Sequence, residues 1–364
     1  MSPLSHDRIL APRFVHEGGW CWRCPVPGLR SGDSGDAVDR SRLVLLEDGQ
    51  PVGSPHALHA QIRMQGGGLY SHWLDSVWFS TSDNSDPNTN GRTYTARWDL
   101  DTYLQQRSRR KLPAILDLLG RLPGGAAGLS GRTVMEIGPG AYLDTVLTLA
   151  GLGAEVVAVD RQPGPWNPDW HQPYLRGLGV SLRQSELATD DAVLARIAAA
   201  TSYEAAGIIW TGTLAESLPE DLTDRIHMHC SHATLEHLNA PDLAFLQLAR
   251  VSRSGTMGVH LVDFCDHRDS TRPLEFLLLD DGAYDRENQE YHYIWGNRVL
   301  PSVMAQCWLA AGFDILSFDV IKTVEPEYLD DFLPRLRCSS SRFRAAEQDD
   351  LSCAQGIFVV QKRG

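Results

Sequence analysis

The 364-residue sequence contains no apolar run of about 18 residues, the length that a helix needs to cross a bilayer. Its opening residues, MSPLSHDRILAPRF, lack the basic start and apolar core of a secretory signal. Positive charge is scarce as well. The 33 Lys and Arg stand against 46 Asp and Glu, a formal net charge of -13, which argues against a nonspecific nucleic-acid binder because phosphate contacts require a basic surface. Cysteine is sparse: seven residues, an odd number, lie scattered along the chain, so no disulfide framework is expected. Cys21 and Cys24 form a single CxxC, which is half of a zinc site, and read as packing residues. These absences lead to the expectation of a cytoplasmic protein with reduced thiols, no membrane or nucleic-acid partner, and a small-molecule or glycan ligand.

What remains is a globular composition, 43% hydrophobic and 22% charged, enough for one large and one small domain. Residues 1–100 carry short alternating runs such as SRLVLLEDG and DSVWFSTSD separated by turn-forming residues, and read as a β-rich accessory module that could bind the acceptor. The stretch from Asp101 to Leu122 has helical spacing interrupted by Pro113, so residues 101–124 read as a linker helix. Residues 125–364 alternate apolar runs with helical patterns: TVMEIG, AEVVAVD, GIIWTG, DRIHMHCS, TMGVHLVDF, FDILSFDV and QGIFVVQK. Such alternation predicts an α/β domain, Rossmann-like, with a mostly parallel sheet and an antiparallel pair near its edge.

TVMEIGPGAYLDT holds the most informative turn. Gly138 and Gly140 follow a short apolar strand, where glycine permits positive φ and clears the way for a ligand to approach the backbone. A dinucleotide fingerprint would be GxGxxG, but Leu143 stands where the third glycine would be. S-adenosylmethionine carries no phosphate, and its ammonium and sulfonium are cationic, so an acid at the strand end serves it better. Glu136 supplies one acid. Asp160, closing the next strand, stands where an acid commonly meets ribose hydroxyls.

The ordered series EIGPG, VVAVD, TGTLAESLP and SHATLEHL resembles class I S-adenosylmethionine-dependent methyltransferases over residues 125–364. The resemblance implies a seven-stranded sheet with a final antiparallel strand and S-adenosylmethionine as cofactor. It assigns cofactor contacts to Glu136, Gly138, Gly140, Tyr142, Asp160, Leu214, Ala215, Glu216 and Ser231. Many relatives have Asp where Leu214 stands, so adenine contact there falls to the backbone. The SxxxLEH segment from Ser231 to His237 is similar to the small-molecule branch of the family, some members of which bind a divalent metal through ExxEH. Here the first Glu position is Ala233, so one ligand is lost and no metal is assigned.

Methyl transfer from a sulfonium is an in-line displacement that asks the protein to align the acceptor, exclude water and take a proton where needed. His237, His260, Asp263 and His267, from two loops rich in His and acid, are the candidate catalytic cluster, with His260 or His267 as base and Asp263 as its orienter. HxxDxxDH followed by Asn297-Arg298 and AAGFDI resembles a bacterial subgroup associated with glycan and secondary-metabolite synthesis. Asn297 and Arg298 become candidate acceptor contacts. In the amino-terminal stretch GGGLYSHWLDSVWFSTSDNSDPNTNGRTY, aromatics set among amides and acids suit a sugar-like acceptor, so His72, Trp73, Asp83, Asn84, Asn90 and Arg92 join them, with a module held by local Asx turns as the other reading. Trp166 and Trp170 either cover the cofactor or pack against helices. The expected function is methyl transfer from S-adenosylmethionine to an oxygen, less readily a nitrogen or carbon, of a small molecule or glycan intermediate. A noncatalytic glycan- or protein-binding scaffold and an NAD-dependent oxidoreductase are the competing classes.

Overall fold

Turn chemistry dominates the first hundred residues, and the strands between turns are correspondingly short. In the computed structural model, residues 7–364 are described except 11–12, 27–31, 35–39, 99, 141–142, 162–163, 165, 186, 188, 270 and 291–295. The chain divides into two compact units, Met1–Pro113 with Trp166–Glu186, and Ala114–Pro165 with Leu187–Gly364.

The first unit contains β1 (Asp7–Leu10), β2 (Val15–His16), β3 (Trp22–Pro25), β4 (Leu43–Glu47), β5 (Gln50–Pro51), β6 (Tyr70–Trp73), β7 (Ser76–Phe79) and β8 (Tyr94–Trp98). They pair as two four-stranded antiparallel sheets in the orders β1-β8-β4-β5 and β2-β3-β7-β6. A single apolar cluster joins residues of both sheets, including Leu45, Tyr70, Phe79 and Tyr94. Phe14 meets Phe79 and Tyr94 edge-on at 5.2 and 5.5 Å, an arrangement aromatic quadrupoles favour. Cys21 and Cys24 are buried free thiols, as the packing reading expects.

Helix α1 (His59–Gln65) and the first part of α2 (Leu100–Gly120) complete this stretch, and α2 continues through Pro113. The unit boundary falls within that helix. A later helix, α4 (Pro168–Gln184), groups with the first unit rather than with the segment around it in sequence. Gly177 is the local reason. A Cβ there would come within 2.6 Å of the Gln105 Cα, so the absence of a side chain lets α4 lie directly against α2. Arg176 adds an ion pair to Asp101 at 2.7 Å. The chain is therefore divided differently from the expected boundaries at residues 100 and 125.

The second unit contains β9 (Thr133–Ile137), β10 (Glu155–Val159), β11 (Ile208–Trp210), β12 (Ile226–His232), β13 (Ser252–Asp263), β14 (Phe313–Thr323) and β15 (Cys353–Lys362). All seven apolar runs form strands of one sheet, in the order β11-β10-β9-β12-β13-β15-β14. Pairing is parallel from β11 to β13, and β15 runs antiparallel to both of its neighbours. The remaining helices are α3 (Asp144–Gly151), α5 (Asp191–Ala198), α6 (Pro241–Val251), α7 (Asp281–Glu290), α8 (Pro301–Ala310), α9 (Pro326–Cys338) and α10 (Gln348–Ser352). The core centres on Trp308, whose indole stacks on Phe245 at 3.6 Å. Among the described residues, no helix is long and apolar enough to cross a membrane.

Candidate functional site

The strand order reverses between β9 and β12, and in open α/β sheets ligands bind outside the carboxyl ends of the strands at such a reversal. The glycine turn stands at that point. Gly138 and Gly140 adopt φ of +65° and +64°, which L side chains rarely accept. A Cβ on Gly138 would collide with the Thr234 side chain, whereas one on Gly140 would meet nothing within 4 Å. The Gly138 amide donates to Val159 O at 2.9 Å, and the Thr234 hydroxyl donates to Gly138 O at 3.3 Å. The turn is thus tied to β10 on one side and to the loop after β12 on the other.

Leu143 holds the third-glycine position with a left-handed φ of +56° and a buried side chain. Glu136 lies within β9, only 2% exposed. Burial pushes its carboxyl up to about 8 against the opposing pull of the Thr145 hydroxyl and the Val146 amide, with Asp144 adding to the rise. Its Oε2 is buried without a hydrogen-bond partner. Asp160 follows β10 directly, half-buried, and its carbonyl accepts the Trp210 indole N–H at 3.0 Å. Seven strands in this order, with the lone antiparallel strand inserted next to the edge and an acid-flanked glycine turn after the first, decide the architecture.

This is the class I S-adenosylmethionine-dependent methyltransferase fold. No family model and no curated protein matches the sequence. Solved structures similar to this chain include an S-adenosylmethionine-dependent methyltransferase from Mesorhizobium loti, at 12% identity and TM-score 0.38 over 68% of this chain and 96% of the other. Phosphoethanolamine N-methyltransferase 2 from Haemonchus contortus, in complex with S-adenosyl-L-methionine, gives 12% identity and TM-score 0.38 over 96% of this chain and 71% of the other. A geranyl diphosphate methyltransferase, also with bound cofactor, gives 13% identity and TM-score 0.39 over 77% and 93%. At that level of overlay, the strand order itself identifies the methyltransferase fold.

Other expected cofactor contacts divide. Tyr142 lies outside the described residues. Leu214 is exposed and Ala215 buried at the start of a short 3-10 turn. Glu216 Oε1 accepts the amides of Asn239 at 2.9 Å and Ala240 at 3.3 Å, fixing the entry to α6, while its Oε2 is buried without a hydrogen-bond partner. Ser231 is buried near the end of β12, its hydroxyl 2.8 Å from His260 Nδ1.

The histidine cluster separates into two groups. His260 is fully buried (0%), and its Nε2 lies 2.8 Å from His229 Nδ1. Burial holds its pKa well below the usual imidazole range and pushes His229 down to about 3. Both rings stack beside Trp308. A ring so enclosed reaches no substrate, so His260 is removed from the candidate bases. Asp263 does not orient it: the two carboxylate oxygens accept the Cys265 amide at 2.9 Å and the Gln355 amide group at 2.8 Å. His237 and His267, in contrast, come together at the exposed ends of β12 and β13, with ring centroids 5.0 Å apart. Beside them is Glu236, 3% exposed, whose carboxyl burial pushes up to about 8.

Asn297 and Arg298 line cavities in this region, yet their polar atoms hold the chain together. Asn297 donates its side-chain N–H to Leu235 O and Leu238 O and its amide to Glu236 O. The Arg298 guanidinium lies 3.7 Å over the Tyr284 ring and donates to Leu279 O and Asp281. Both also line the cavity of about 370 Å³ that His237 and Asn288 share.

In the first unit, His72 is 2% exposed, with Nδ1 2.8 Å from Ser41 Oγ, and Trp73 sits edge-on to His59. His72 is thus a packing residue. Arg92 bridges Asp83 and Glu47, and Asn84 Oδ1 accepts the Gly67 amide, while Asp83, Asp86 and Asn90 each accept the amide two residues on, from Ser85, Asn88 and Arg92, which are the local Asx turns of the other reading. Trp170 lies 5.3 Å from the Arg42 guanidinium, and Trp166 packs on His171. His229 and Glu236 are the functional-region residues that sequence reasoning left unassigned. For His229 the only signal is a His inside an apolar strand, whereas Glu236 stands in the SxxxLEH segment without an assigned role.

Proposed function

We propose that the chain binds S-adenosylmethionine at the carboxyl ends of β9 and β10 and transfers its methyl group to an oxygen of a small molecule or glycan intermediate, as a cytoplasmic enzyme. The observation that carries this reading is the buried, unpartnered Glu136 Oε2 beside a turn that presents bare backbone at Gly138 and Gly140. Ionising a carboxyl in so dry a site is costly until a cation reaches it, which suits an ammonium and disfavours a pyrophosphate. The buried Leu143, in place of the third glycine, further disfavours NAD.

The cofactor, when bound, supplies an electrophilic methyl group on a sulfonium. Glu136 would hold its amino group and Asp160 its ribose hydroxyls, while Gly138 and Gly140 admit it to main-chain distance. His237 and His267 stand on the acceptor side, where loss of a hydroxyl proton has to be promoted. A cavity of about 370 Å³, lined in part by His237, Asn239, Asp281, Asp285 and Asn288, offers amides and acids to a hydroxylated acceptor. The free thiols are in keeping with a reducing compartment.

Calorimetric titration with S-adenosylmethionine, its demethylated product and NAD tests the cofactor. Mass spectrometry of hydroxylated acceptors, sought as a gain of one methyl, tests the transfer. Binding of NAD alone would reject the reading.

A further inference from the structure

We infer that Glu236, His237 and His267 form a site for one divalent transition-metal ion at the acceptor end of the sheet. Each residue offers one ligand atom, and the three atoms lie within 4.8 Å of one another. Two imidazoles and a carboxylate are a donor set for zinc, manganese, iron or cobalt rather than for magnesium or calcium, which prefer oxygen throughout. The set draws on two neighbouring strands: Glu236 and His237 follow β12, and His267 follows β13, its parallel neighbour.

An independent observation points to a cation here. Glu236 is almost completely buried; its Oε1 accepts the Asp263 amide at 3.3 Å, and its Oε2 is enclosed without a hydrogen-bond partner. A buried carboxyl oxygen in that condition is a ligand atom that no protein group satisfies.

The surroundings hold the ligands in position. Asn297 clamps the 3-10 turn carrying Glu236 and His237 by bonds to Leu235 O, Glu236 O and Leu238 O. Asp266, next to His267, is fixed by the Phe276 amide at 2.9 Å and by Arg268. Such supporting groups set ligand orientation in metal proteins. Metal bonds of about 2.0–2.2 Å place adjacent ligands about 3 Å apart. His237 and His267 are the exposed members of the set, and Glu236 is the buried one.

His237 also lines the 370 Å³ cavity, which puts the ion at the edge of that space. Three protein ligands leave coordination positions for an acceptor oxygen. Resting on the methyl-transfer reading, this narrows the acceptor to a molecule whose hydroxyl ligates the ion. Coordination would lower the pKa of that hydroxyl, its proton passing to water, and present the alkoxide or phenolate for displacement.

The test uses the full chain treated with chelator and dialysed. Zn²⁺, Mn²⁺ and Co²⁺ are each titrated by calorimetry, with the visible spectrum of Co²⁺ as a second readout. One equivalent should bind, and His237→Ala and His267→Ala should each weaken binding about a hundredfold or more while melting like the parent without metal. Glu236→Gln should do the same if it folds; the two exposed histidines decide the matter if it does not. Failure of all three metals to bind at one equivalent, or unchanged affinity in both histidine variants, overturns the site. S-adenosylmethionine titrated into the same metal-free sample separates the two ideas: cofactor binding without metal binding removes only the metal, and the converse removes only the methyl-transfer reading.

Discussion

Glu136→Gln is expected to stabilise the chain and to abolish its hold on the cofactor's amino group. The carboxyl sits between Ala158 and Cys230 in the middle of the sheet, with Thr145, Val146 and Asp144 around it. Burial raises it from an ordinary 4.5 to about 8, so the native chain holds this proton more tightly than the unfolded chain. Stability from this group is therefore greatest below pH 4.5 and falls as pH rises from 4.5 to 8. At about 1.4 kcal/mol per pH unit, the cost grows to about 3 kcal/mol at pH 7 and about 5 kcal/mol above pH 8. Glutamine keeps the shape and never ionises. Urea melts should show the variant gaining on the parent from pH 5 to 8 and holding its lead beyond. Cofactor binding to the parent should follow the opposite course, because the carboxyl must lose its proton to pair with an ammonium. Affinity should rise about tenfold per pH unit from 6 towards 7.5, pass a maximum near 8, and decline as the ligand's own amine, with a pKa of about 8, loses its charge. Equal cofactor affinity in parent and variant, or affinity independent of pH over this range, would refute the placement of the amino group at Glu136.

His260→Ala should lower stability by about 2–5 kcal/mol, since it opens a cavity beside Trp308 and leaves the partners His229 and Ser231 unsatisfied. Turnover per folded molecule should be unchanged, as measured under conditions where circular dichroism shows full folding. Gly138→Ala should cost about 1–3 kcal/mol for its left-handed backbone and more for the collision with Thr234. Adding Thr234→Ala should return only the second part, a difference readable from thermal melts of the single and double variants.

The strands were legible because each is a short apolar run, and a run buried on both faces, such as Val156 to Val159, reads the same in sequence and structure. The glycine turn and Glu136 were legible for a local reason too: a strand, its acid and the two glycines lie within the eight residues from Thr133 to Gly140. Grouping of α4 with the first unit was not, since it turns on Gly177 meeting Gln105, residues far apart in the chain. His260 reads as a strand-end histidine, but the strand continues to Asp263, and register places its ring between Ser231, His229 and Trp308. Residue type was no guide to the partners of Asn297 and Arg298, which are carbonyls for the first and carbonyls, Asp281 and the Tyr284 ring for the second, all brought within reach by the folded loop. His237 and His267 were each visible, though their meeting depends on β12 and β13 being adjacent.

β15 lies between β13 and β14 although it is made after both. As the chain leaves the ribosome, those two strands emerge with their shared neighbour still unsynthesised, and each exposes a row of unpaired amides and carbonyls. That interval is when a nascent chain is most open to pairing with the wrong strand, its own or another's. Slowing translation just upstream of Cys353 should therefore raise aggregation during synthesis without altering the finished protein.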